Sequence, residues 1–96
     1  MHVISEKKLR VFWSDHADAQ GPLQAWYREA EKSTWEKFAD VRERYPHADQ
    51  VGKFTVFNIG GNKYRLITVI HYNRSKVYVR HVLTHSDYDK ADWKND

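Results

Sequence analysis

Arginine, lysine, histidine and tyrosine fall together between Phe57 and Asp89, and these are the side chains that hold a phosphodiester and move protons around it. The stretch opens with Phe57-Asn58-Ile59-Gly60-Gly61-Asn62-Lys63-Tyr64-Arg65, continues through Lys76-Val77-Tyr78-Val79-Arg80, and ends on Thr84-His85-Ser86-Asp87-Tyr88-Asp89. RNA brings its own nucleophile, the 2′-hydroxyl. A ribonuclease therefore needs alignment, a base, an acid and positive charge at the non-bridging oxygens, and this segment supplies all of them from side chains. The chemistry these residues imply is RNA cleavage.

The elements that must position them are readable from periodicity. Residues 2–4 form a short apolar stretch, and Ser5 is a candidate N-cap for a helix from about Glu6 to about His16 with Leu9, Phe12 and Trp13 on one side. Pro22 suits the opening of a second helix, along which Leu23, Trp26, Tyr27 and Ala30 repeat at helical spacing up to Lys32. Ser33-Thr34-Trp35-Glu36 has the form of a capping box and predicts a third helix through Trp35, Phe38 and Val41, stopped by Tyr45-Pro46. Residues 47–53 read as a polar connector.

From Phe54 the period changes to that of strands. Three runs rich in β-branched and aromatic residues, 54–57, 64–72 and 76–83, are separated by turn residues at Gly60-Gly61-Asn62 and Asn73-Arg74-Ser75. In the middle run Tyr64, Leu66, Thr68 and Ile70 take one face, and Arg65, Ile67, Val69 and His71 take the other. Both sets are largely apolar, so helices should cover one face while the other forms a partly lined floor. A short helix is expected after Ser86. The expectation is an α+β fold in a single domain over residues 1–96: an antiparallel sheet of a short N-terminal strand plus a three-stranded C-terminal meander, two to three N-terminal helices on one face, and a short C-terminal helix.

Sixteen Lys and Arg against thirteen Asp and Glu give a formal charge of +3, but the distribution says more than the total. Lys53, Lys63, Arg65, Arg74, Lys76 and Arg80 fall in a span that holds no Asp or Glu, the polarity expected of a sheet that meets RNA. With no cysteine, disulfides and thiolate metal sites are excluded. His81 and His85 are four apart, but a strand does not bring that pair together as helical turns would, so no metal site is expected. No segment has the apolar core of a signal peptide or the length of a membrane span, which points to the cytoplasm and away from membranes.

The run from Asn58 to Arg65, the run from Lys76 to Val82 and the Thr84-to-Asp89 ending together resemble the HigB mRNA-interferase toxins of bacterial toxin-antitoxin modules, as does the Met1-His2-Val3-Ile4-Ser5 opening. The resemblance is tight from Asn58 to Asp89 and one of layout across residues 10–50. It implies a RelE-like fold with a basic concave site, cleavage of mRNA on the translating ribosome without a cofactor, and silencing by a HigA-type helix-turn-helix antitoxin.

Within that reading Arg65 is the candidate for the scissile phosphate, because its planar fork matches phosphate oxygens. His85 is the candidate for proton transfer, since an imidazole serves as acid or base near neutrality, and Tyr88 would stack on a base or hydrogen-bond the phosphate. Lys63, Lys76 and Arg80 are candidates for a positive rim that binds flanking RNA, with Asn58 and Asn62 beside the diglycine turn. Asp89 suits an orienting role. The general base stays open among Lys63, Lys76 and His85. A non-catalytic RNA- or ribosome-binding module is the rival, because the same basic strands would support it.

Overall fold

The computed structural model describes residues 1–95, which run as β1 (His2–Ile4), α1 (Glu6–Asp15), α2 (Gln20–Lys32), α3 (Phe38–Arg44), β2 (Asp49–Val51), β3 (Phe54–Ile59), β4 (Tyr64–His71), β5 (Lys76–Thr84) and α4 (His85–Asp89). Short 3₁₀ turns sit at Ala17–Ala19, Tyr72–Arg74 and Asp92–Asn95. The five strands form one sheet in the order β1-β5-β4-β3-β2. The expected meander is present, with β3, β4 and β5 antiparallel.

Two features of the sheet differ from expectation. β1 pairs with β5 in parallel, His2 opposite Lys76 and Ile4 opposite Tyr78, so the sheet is mixed where a wholly antiparallel one was expected. Nearly the whole chain separates these strands, which leaves the parallel arrangement open to them. The supposed connector contains β2, which pairs with β3 across a two-residue turn whose first residue, Gly52, has a φ of 59°. β2 is polar and short, so its strand character comes from its partner and not from its own pattern.

Alternation along the strands divides the sheet into two faces. Phe57, Ile59, Leu66, Val77 and Val79 turn toward the helices and pack with Leu9, Leu23, Trp26, Ala30 and Val41. On the other face Phe54, Val56 and Ile67 pack beneath Trp93, so the C-terminal segment roofs part of what the sequence implied was an open floor. Between Ile67 and Thr68 the β4–β5 register slips: Ile67 faces His81 while Thr68 faces Val79, leaving Arg80 as the extra residue of a bulge.

The third helix begins at Phe38, not at Ser33 as the capping-box pattern suggested. Ser33 instead closes α2, its hydroxyl donating to the Glu29 carbonyl at 2.7 Å. The Glu36 N–H donates to Asp40 Oδ2 at 2.9 Å. The segment between the helices carries Trp35 into the core, where it stacks on Phe57 with ring centroids 6.2 Å apart. Burial of a large aromatic outweighs a local cap.

Candidate active site

The site begins at the β3–β4 turn. Gly60 and Gly61 both have positive φ, 63° and 70°, a conformation that residues with a Cβ rarely adopt. Beyond the turn Arg65 lies opposite Asn58 in the ladder, on the face away from α1–α3. β5 runs directly into α4, where the Thr84 hydroxyl caps the helix by accepting from the Asp87 N–H at 3.1 Å. The His85 N–H donates to the Lys63 carbonyl at 3.2 Å, which ties the start of α4 to the turn.

The Arg65 guanidinium is held in place by neutral partners. It donates to the Asn62 side-chain oxygen at 2.8 Å, the Asn62 carbonyl at 3.1 Å and the Tyr64 carbonyl at 3.3 Å, and its carbon lies 5.4 Å from the Tyr88 ring centroid. None of these partners is a carboxylate, and the nearest acid of the groove it lines is Asp49 on β2. Tyr88 also stacks on Trp93 at 5.1 Å, and the Trp93 indole N–H donates to the Tyr88 carbonyl at 3.0 Å.

Arg65 and Tyr88 form one side of a groove of about 390 Å³ whose other walls are Asn58 from β3 and Arg42, His47 and Asp49 from the α3–β2 region. Burial, followed by the negative charge of Asp49, raises the Tyr88 phenol above its usual pKa, against the opposing influence of Arg65. Tyr88 therefore stays a neutral phenol at physiological pH, able to donate a hydrogen bond or offer its ring.

The structure brings Arg65, Tyr88, Asn58 and Asn62 together. His85 sits beside this group, three residues before Tyr88 on α4, but its ring does not line the groove; Nδ1 lies 3.3 Å from the Asp89 carboxylate. Lys63 is drawn to the helical side, where its ammonium meets Asp18 at 2.5 Å and the Tyr64 hydroxyl donates to the same carboxylate. Those two hydrogen bonds lower the Asp18 pKa, and Asp18 raises that of Lys63. Lys76 lies opposite His71, at the far end of the β4–β5 ladder from the Arg65–Leu83 pair. Arg80 lines a separate cleft beside Lys8, Phe12 and His16 of the α1 region. Sequence reasoning missed Asp49, whose strand exists through its pairing with β3, and His47 and Arg42, which stand before that strand with no motif to mark them.

Among the described residues no group of three or more histidines and carboxylates is placed to hold a metal ion, and no helix is long and apolar enough to cross a membrane.

A mixed sheet backed by helices, with an arginine, a tyrosine and an imidazole around one groove, defines a small α+β protein whose groove has the charge to suit a phosphate-bearing ligand. Residues 19–91 match the family described as HigB_toxin, RelE-like toxic component of a toxin-antitoxin system, and the chain belongs to that family. Its relatives include the mRNA interferase toxin HigB of Escherichia coli strain K12, 29% identical over 92 residues that cover 93% of this chain and 88% of the relative. The mRNA interferase HigB of Shigella flexneri matches to the same extent, and that of Escherichia coli O6:H1 is 26% identical over 93 residues, covering 94% and 90%.

Proposed function

We propose that this chain is the endoribonuclease toxin of its module, a single domain that cleaves mRNA in the cytoplasm by attack of the 2′-oxygen on the adjacent phosphorus. The observation that carries this is the state of Arg65: fixed by Asn62, laid against Tyr88, and paired with no carboxylate among the described residues. In the groove a phosphodiester places its non-bridging oxygens on that guanidinium, which stabilises the charge that builds in the transition state. A neutral imidazole takes the 2′-hydroxyl proton as the 2′-oxygen–phosphorus bond forms. The phosphorus–5′-oxygen bond breaks, the departing oxygen takes up a proton, and the products end in a 2′,3′-cyclic phosphate and a 5′-hydroxyl.

His47, inside the groove, and His85, next to Tyr88 on α4, are the two imidazoles for these transfers. Tyr88 donates to the phosphate or stacks on a base, and Asn58 positions the neighbouring ribose. Lys76 and Arg80, outside the groove, contact flanking RNA; Lys63, paired with Asp18, does so more weakly. Relatives named mRNA interferase support the reaction class. The ribosome as the place of cleavage and a HigA-type helix-turn-helix antitoxin as the silencing partner complete the proposal.

The test is cleavage of a defined mRNA by the purified chain, with and without ribosomes, and mapping of the cut ends. Cyclic phosphate ends that disappear in Arg65→Ala support the proposal. RNA that is bound and stays intact in both conditions favours a binding module instead.

A further inference from the structure

Among the described residues the C-terminal roof covers Phe54, Val56 and Ile67 and reaches Val69, and the far end of the sheet's outer face, at Tyr78 and Lys76, lies beyond that cluster. Val3 and Val77 turn into the helix-side core, so their ladder neighbours Ile4 and Tyr78 point outward, as do Lys76 and His71. Tyr78 lies between Ile4 and Val69 in the register, and His71 meets its ring edge-on, with centroids 5.0 Å apart and planes at 64°. Beside Tyr78 opens a cleft of about 290 Å³ bounded by Ile4, Lys8 and Arg80. The strands that supply Val69, His71, Lys76, Tyr78 and Arg80 lie within the span that holds no acidic residue.

We infer that this end of the sheet is a second subsite for the single-stranded message, with one base stacked on Tyr78 and flanking phosphates met by Lys76 and Lys8. The inference rests on the proposed cleavage reading and extends it to how the substrate is held. An aromatic ring on a sheet, flanked by apolar side chains and cations, is how proteins hold unpaired bases without reading a fixed sequence. Arg65 and Val69, which face Leu83 and Tyr78 across the ladder, are four residues apart on β4, about 13 Å at roughly 3.3 Å each, a span that a few nucleotides of extended RNA would cross. A message that reaches both sites passes over the C-terminal roof, where Trp93 covers Ile67 and lines a pocket with His81 and Leu83, and it gains affinity from both ends.

The experiment compares two labelled 2′-O-methyl oligonucleotides, which lack the nucleophile and survive binding. One is short enough to fill the Arg65 groove alone, and the other is long enough to reach Tyr78. Wild type should bind the long one more tightly, Tyr78→Ala should cut that advantage by about tenfold, and Tyr78→Phe should keep it. Lys76→Glu, independent of any effect of Tyr78 on folding, should lower the same advantage and flatten its salt dependence. An advantage that Tyr78→Ala and Lys76→Glu both leave in place overturns the inference, and a simultaneous loss of antitoxin binding in those variants assigns the face to the protein partner. Cleavage of an unmodified mRNA by wild type on ribosomes is scored separately. If that RNA is cut while the advantage ignores Tyr78, only the subsite fails; if it is never cut while the advantage depends on Tyr78, only the cleavage reading fails.

Discussion

The two faces of the central hairpin use neighbouring residues for opposite purposes. On the helix side Phe57, Leu66 and the aromatic body of Tyr64 are buried, and the cation Lys63 is matched by Asp18. On the other side Arg65, one residue past Tyr64, has neutral hydrogen-bond partners and an aromatic ring. Stability and recognition are therefore separated by the two-residue period of a strand. A cation's position in the sequence says little about its use until its counter-charge is located.

The sharpest way to break this comparison is to truncate one residue on each face. Phe57→Ala should lower folding stability by about 3–5 kcal/mol in denaturant titration, because it removes a fully buried ring from contact with Trp26, Trp35 and Tyr45. Arg65→Ala should leave the unfolding midpoint nearly in place and lower the cleavage rate by about 10²–10³-fold in single-turnover assays, as expected for loss of a preorganised donor at the reacting phosphate. A large stability loss in Arg65→Ala would show that the faces are not separable.

The next contrast concerns how Arg65 is aimed. Asn62→Ala removes the 2.8 Å hydrogen bond to the guanidinium without removing the charge, so cleavage should fall by about tenfold. Restoring the amide with Asn62→Gln tests whether reach matters as well as chemistry. A rate unaffected by Asn62→Ala would mean that Tyr88 and the backbone carbonyls of Asn62 and Tyr64 suffice to orient the arginine.

The smallest effect is on ionisation. Because burial and Asp49 raise the Tyr88 phenol above its usual value of 10.0, its proton contributes stability below that value, and the contribution is lost as pH rises through the folded-state pKa. Ultraviolet titration of wild type against Tyr88→Phe should reveal a phenol that ionises later than free tyrosine. Asp18 behaves oppositely: its lowered pKa gives a contribution present above 3.8 and lost as acid protonates it.

Much of this arrangement could be read from the sequence. Alternation along β4 assigned Tyr64, Leu66, Thr68 and Ile70 to the helix face and Arg65, Ile67, Val69 and His71 to the other, and the packing follows that division. The resemblance of the Thr84-to-Asp89 run grouped Tyr88 with Arg65, and the ring lies 5.4 Å from that guanidinium. Lys63 was less legible, since a turn residue is not bound by strand alternation and its partner lies 45 positions away. Asp49 was invisible for a related reason: β2 has no pattern of its own and exists through hydrogen bonds to β3, and His47 stands before that strand with no motif to mark it. The Ser33-to-Glu36 pattern misled because local capping competes with the burial of Trp35, and the tryptophan prevails. The bulge at Arg80 left no sequence mark either, although it breaks the strand alternation beyond Val79.

The measurement that bears most directly on the account is end-mapping of an mRNA incubated with the purified chain and ribosomes, beside the Arg65→Ala protein. The account predicts discrete cuts bearing 2′,3′-cyclic phosphate and 5′-hydroxyl ends with the wild type, and few or none with the variant. Cuts that end in a 3′-hydroxyl, or cuts that persist at the wild-type rate without Arg65, would contradict it.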